Sequence, residues 1–242
     1  NNLFLIIFAM IFDVFEDKYK DRAGSLFLNS LKNIDFEEID KQYKCNEFIS
    51  SLLEVMMKND DTRYIKSVDD ENQTLFHIAA KFANINESTL NILIQKMHIA
   101  INSWKDLLNV RTRKGKTILM IFASNGNFIA IEKLCGINDN IEARDIYGNN
   151  ILHEILQEKT MSNDKIIEGV ISICNMHREL IIQRNRNGEN AFHIAAKRGF
   201  NGILGAFSIF YPPSYLDKLD ENCTESAIHL VAKENYYETL RY

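Results

Sequence analysis

The sequence predicts an all-α fold: a solenoid of stacked helix-turn-helix repeats preceded by a helical cap. Three observations predict it. A turn-rich stretch leading into the same kind of helix start recurs five times, most plainly in Asp69-Asp70-Glu71-Asn72-Gln73-Thr74-Leu75-Phe76-His77-Ile78-Ala79-Ala80 and Asn185-Arg186-Asn187-Gly188-Glu189-Asn190-Ala191-Phe192-His193-Ile194-Ala195-Ala196. Weaker copies end in Met120, His153 and His229. Such recurrence marks units that bury their apolar faces only against their neighbours. The only prolines are Pro212-Pro213, so helices elsewhere run unbroken. Apolar positions fall at helical spacing, as in the segment from Glu47 to Lys58.

Composition narrows the function. With 46% hydrophobic and 25% charged residues, the chain has the make-up of a folded, water-soluble protein. A net charge of -5 argues against non-specific nucleic-acid binding by the chain as a whole. Cys45, Cys135, Cys174 and Cys223 lie far apart with no Cys-x-x-Cys pair, so neither a zinc site nor a disulfide framework is indicated. They read as reduced thiols of an intracellular protein. The chain starts at Asn1 without a methionine and ends at Tyr242 inside the second helix of the last repeat, so it reads as an excerpt.

The run from Leu3 to Phe15 is apolar up to Asp13 and falls short of the ~20 residues that span a bilayer. It reads as a helix buried on every face, with a truncated membrane segment or an interfacial helix as alternatives. Residues 1–66 form the cap or a decayed repeat, in which Gly24-Ser25-Leu26-Phe27-Leu28-Asn29 places Asn29 at the histidine slot. Residues 67–242 form the array. The first repeat starts an inner helix near Thr74 and an outer helix from Ser88 to His98, with extra length holding Trp104. The second runs from Thr117 to Asn125, then from Phe128 to Leu134. In the third, Ser162, Asn163 or Asp164 caps an outer helix reaching His177. The fourth carries Gly199, Gly202 and Gly205 around an outer helix ended by Pro212-Pro213, which should be the least stable helix. The fifth is truncated.

The pattern resembles the ankyrin repeat, whose fingerprint Asp-x-x-Gly-x-Thr-Pro-Leu-His-x-Ala-Ala recurs at a period of about 33 residues. On the histidine slot the copies stand at 77, 120, 153, 193 and 229, spaced by 43, 33, 40 and 36. The glycine slot holds Asn72, Gly115, Gly148, Gly188 and Thr224, four of which tolerate a left-handed turn. The threonine slot holds Thr74, Thr117, Asn150, Asn190 and Ser226, each able to bond nearby backbone. No copy carries the fingerprint's proline, and Met120 replaces one histidine. The resemblance implies a binding scaffold in which the slot histidines hydrogen-bond internally, and histidines one repeat apart are too distant to share a metal ion. Arrays of this kind in host-associated bacteria serve as effectors that recognise host proteins.

No nucleophile elbow, phosphate-binding glycine loop or His-Glu-x-x-His motif occurs, so no catalytic residue, cofactor site or metal site is assigned. The reading is a non-catalytic protein-interaction module. Its rivals are a recruiting or regulatory arm of an enzyme encoded outside this stretch, and a cytoplasmic domain of a membrane protein. Candidate partner-binding residues fall into two groups. Basic loop tips, Arg111, Arg113, Lys114 and Lys116, then Arg144, then Arg184 and Arg186, lie between acidic ends at Asp69, Asp70 and Glu71 and at Asp220 and Glu221. Stacked loops should join them into a stripe facing an acidic protein surface. The second group follows the histidine slots on the concave side the resemblance implies, where Phe82 beside Lys81, and Lys197 beside Arg198, have the chemistry of interface anchors.

Overall fold

The computed structural model describes residues 3–31, 34–35, 38–39, 44–56, 64–82, 85–100, 107–135, 140–159, 161–211 and 229. Among these, every regular element is helical and there is no strand. The chain divides into two compact units, Asn1–Asn140 and Ile141–Tyr242.

The first unit begins with α1 (Leu3–Tyr19), which lies across α2 (Ala23–Ser30) and α3 (Cys45–Met56). Aromatic rings make the joint. Phe8 sits edge-on to Phe27 and Phe48 at centroid distances of 5.6 and 5.2 Å, and Phe12 does the same to Phe27 and Tyr64 at 5.4 and 5.1 Å, the geometry that the ring quadrupole favours. Burial on every face is not what results: Met10 and Val14 are 66% and 62% exposed. With partners on one side only, the helix is apolar where it packs and apolar where it does not. Among the described residues no helix is long and apolar enough to cross a membrane.

Helix α2 approaches the start of the array closely. A Cβ built on Gly24 would stand 2.2 Å from Ser67 Oγ and 3.2 Å from Tyr64 Cβ, so only hydrogen fits there. Asn29, aligned by sequence with the histidine slot, accepts the Asp70 N–H on its Oδ1 at 3.0 Å. Amphipathic α3 buries Phe48, Ile49, Leu52, Leu53, Val55 and Met56 and packs against α4 (Leu75–Ala79) and α5 (Glu87–Ala100). The second repeat supplies α6 (Ile118–Ser124) and α7 (Phe128–Cys135).

In the second unit, α8 (Ile151–Gln157) and α9 (Asn163–Met176) are followed by α10 (Ala191–Lys197) and α11 (Asn201–Phe210). Ser162 is the residue that caps α9, accepting the Lys165 N–H. The α10/α11 pair closes on Phe192 and Phe207, 5.1 Å apart and edge-on. Gly199 lies in the turn before α11, with a positive φ of 66°, so only Gly202 and Gly205 weaken the helix itself. Trp104, the Pro212-Pro213 stop and all of the fifth repeat except His229 lie outside the described residues.

Candidate functional site

Each inner helix starts in the same way, and the cause is the threonine-slot residue. Thr74, Thr117, Asn150 and Asn190 are all N-caps with extended backbone. Thr117 Oγ1 accepts the Met120 N–H, and Asn150 and Asn190 Oδ1 accept the N–H of His153 and His193. These bonds satisfy donors that a helix N-terminus otherwise leaves open. The slot histidine completes the start. The Thr74 N–H donates to His77 Nδ1 at 3.2 Å, and the Thr74 hydroxyl lies 2.8 Å from the same nitrogen. On the opposite side, His77 Nε2 reaches Val110 O at 3.2 Å, and His153 Nε2 reaches Glu189 O at 2.9 Å. A carbonyl can only accept, so each Nε2 carries a proton and links one repeat to the loop of the next. Burial lowers the His77 pKa from 6.5 to about 4, against the opposing pull of the Val110 bond; burial lowers that of His153 as well. Buried Met120 has no ring nitrogen to make such a link.

The loops are as ordered as the helix starts. Asn72, Gly115, Gly148 and Gly188 all take φ between 58° and 78°, the left-handed bend expected of the glycine slot. Upstream of each bend a short polar side chain ties the turn. Asp69 Oδ1 accepts from Glu71 and Gln73 N–H, Asp145 Oδ1 from Tyr147 and Asn149, Asn185 Oδ1 from Asn187 and Glu189, and Thr112 Oγ1 from Lys116. Asp69 is buried in this role, so it is a turn organiser and not part of a solvated acidic end. Adjacent tips are joined main chain to main chain. The Arg113 N–H donates to Glu71 O in the first unit, and the Arg186 N–H donates to Tyr147 O in the second, both at 2.8 Å.

This scaffold sorts the basic candidates. Arg111, Arg113 and Lys114 are exposed at one tip of the first unit, with Lys116 half-buried beside them. In the second unit Arg144 and Arg186 are exposed and Arg184 is half-buried. Arg144 Nη1 donates to Arg184 O, and Arg184 Nη1 donates to Gly188 O, so these two guanidinium groups brace the loop that carries Arg186. Asp220 and Glu221 lie outside the described residues.

The second group is largely consumed by the fold. Phe82 is fully buried, edge-on to Phe48 at 5.4 Å; it is a core residue joining the first repeat to α3, not an exposed anchor. Arg198 Nη1 donates to Leu156 O at 2.6 Å and to Glu158 O, and its guanidinium stands 4.5 Å above the Phe200 ring. That fork caps the carbonyls at the end of α8. Lys197 is exposed and paired with Glu189.

Two features are not among the sequence candidates. Ile146 and Tyr147 are 41% and 57% exposed at the tip beside Arg186, and their only sequence signal is apolarity where the loop should be polar. The other is an open cavity in the first unit, taken up below. Cys45 and Cys174 are buried and Cys135 is half-buried, all as free thiols. Burial pushes the Cys135 and Cys174 thiols up to about 12, with Glu132 and Glu179 adding to it; such thiols are poor nucleophiles at neutral pH. Among the described residues no group of three His, Cys, Asp or Glu could hold a metal ion.

No protein-family model and no curated protein matches the sequence. Solved structures match its fold. The ankyrin-repeat protein EF0377 is similar with a TM-score of 0.59 and 16% identity, over 85% of this chain and 94% of its own. The ankyrin repeat domain of Bcl-3, a member of the IkappaB protein family, gives 0.59 and 16% over 99% and 97%. A chain from the complex of the Bd0816 predatory endopeptidase of Bdellovibrio bacteriovorus with the immunity protein Bd3460 gives 0.56 and 19% over 85% and 96%. The chain therefore has the ankyrin-repeat fold, an all-α solenoid, as its recurring helix starts predict.

Proposed function

We propose that the chain is a non-catalytic protein-interaction module whose loop tips receive an acidic face of a protein partner. The observation that carries this reading is the placement of Arg113, Lys114 and Arg186 at exposed positions on turns fixed by side-chain ties and main-chain rungs. Pre-ordered cations lose little freedom on docking, and a charge pattern matched by the partner speeds encounter and selects against wrong partners. Arg111 adds charge to the first tip, while Arg144 and Arg184 act mainly through the loop they brace. A complex with an immunity protein among the structures of similar fold supports the general role.

Capture of a partner by the immobilised chain, followed by titration, tests the reading. Binding should weaken as salt rises, since exposed charges are screened over about 8 to 10 Å at ordinary ionic strength. The double reversal Arg113→Glu with Arg186→Glu should weaken it on the order of tenfold and leave the melting temperature nearly unchanged, because exposed charges contribute little to folding. Affinity that survives both the reversal and high salt would refute the proposal.

A further inference from the structure

The first unit contains two adjoining open cavities of about 270 and 390 Å³. They share one wall, built from Glu71, Gln73 and Lys81, and their linings differ. The smaller is floored by Leu28, Leu31 and Ile78 and edged by Asp69. The larger adds Lys114 and Lys116 beside the Ile121 side chain. Three ammonium groups therefore face one carboxylate, that of Glu71, in the larger cavity. In the smaller cavity Lys81 faces two carboxylates. An anion is favoured in the first and disfavoured in the second.

The shared wall carries a second and independent signal. Gln73 Oε1 is buried and has no hydrogen-bond partner, although its backbone N–H is bonded to Asp69 Oδ1 at 2.7 Å. A buried acceptor left open costs about 1 to 3 kcal/mol, and native structures hold few of them. A donor arriving from outside would satisfy it, and an extended peptide offers such donors along its backbone. Lys81 is half-buried in the same wall, where burial pushes its ammonium below the ordinary range while Asp69 draws it partly back. A carboxylate gains more from a partly desolvated cation than from one in open water.

We infer that this double cavity binds an extended acidic segment of a protein partner, with an apolar side chain on the Leu28, Leu31 and Ile78 floor and a neighbouring carboxylate among Lys81, Lys114 and Lys116. Between the two, a backbone N–H of the segment donates to Gln73 Oε1. The inference rests on the interaction reading above and gives it a recognition rule: apolar next to acidic.

A fluorescein-labelled peptide of glycine and serine carrying one leucine followed by three glutamates is the probe, read by fluorescence anisotropy against the full chain. Saturable binding is expected, about tenfold weaker when glutamine replaces glutamate in the peptide or in the Lys81→Gln chain. Gln73→Met should weaken it several-fold while leaving unfolding stability equal or higher, since the substitution removes an unsatisfied acceptor; circular dichroism checks that both variants fold. Arg186→Glu, in the other unit, should leave peptide affinity within twofold, so this result is read separately from the loop-tip test. If the peptide fails to saturate below about 1 mM, a K_d limit equivalent to about 4 kcal/mol of binding free energy, the inference falls even where tip reversal abolishes partner capture. Equal binding by Lys81→Gln and Gln73→Met also overturns it. Displacement of the peptide by inorganic phosphate at the peptide's own concentration would show a simple anion site and overturn it too.

Discussion

Acidification should dismantle the first repeat through His77, by an amount the structure sets. Its imidazole is neutral and used on both sides, with Nε2 donating to Val110 O and Nδ1 accepting from Thr74. Burial holds its folded pKa at about 4, against 6.5 in the unfolded chain. The folded state thus binds protons less readily than the unfolded state. The associated stability is complete above pH 6.5, drains away as pH falls towards 4, and is gone below that. At about 1.4 kcal/mol per unit, the full difference amounts to about 3 kcal/mol. Urea unfolding of the wild type and of His77→Gln at pH 7.5 and pH 4.5 provides the assay. At pH 7.5 the variant should be less stable by about 1 to 3 kcal/mol, because it loses the bond to Val110 and leaves buried donors short of an acceptor. At pH 4.5 that deficit should vanish or change sign, since only the wild type must protonate a buried ring. His153 shifts in the same direction but is common to both proteins and cancels. A deficit that is equal at both pH values would show that His77 titrates normally, and the account of the ring would be wrong.

Three glycines separate space from conformation. Gly24→Ala should destabilise by about 1 to 3 kcal/mol, because its methyl group would overlap Ser67; thermal melts with Ser67→Gly as a second-site change should recover part of the loss. Gly205→Ala meets nothing within 4 Å, so helix propensity alone decides and the melt should rise by the equivalent of about 0.5 to 1 kcal/mol. Gly148→Ala combines a φ of +76° with a Cβ position 3.0 Å from Arg186 N; a drop of about 1 kcal/mol or more is expected, together with faster amide exchange at Arg186.

What was legible in the sequence was whatever a single residue imposes on its own backbone. The bend at Asn72, Gly115, Gly148 and Gly188 and the caps at Thr74, Thr117, Asn150 and Asn190 follow from local sterics and short-range hydrogen bonding, and they stand where the aligned slots put them. The first outer helix was likewise close, Ser88 to His98 by sequence against Glu87–Ala100 in the structure. What failed depended on distant neighbours. Position 82 has the register of a partner contact, yet its ring is claimed by Phe48 on a helix outside the repeat pattern. Arg198 looks like a free cation beside Lys197, but the unfinished carbonyls at the end of α8 take it. The apolar run in α1 carried no mark of which face would find aromatic partners. The double cavity was invisible for the same reason, since its floor comes from α2 and its cations from a loop more than 80 residues later.

The rung between neighbouring loop tips is made by main-chain atoms alone, Arg113 N to Glu71 O and Arg186 N to Tyr147 O. Its strength is therefore indifferent to which side chains stand at 71, 113, 147 and 186, provided that neither donor is proline. Stacking and recognition are thereby written in separate alphabets on the same loop. A substitution at a tip can invert charge or swap an aromatic for a carboxylate without loosening the stack, so partner choice can drift by single residues while the repeat geometry stays put. The same separation makes these four positions the natural place to diversify the chain for new partners.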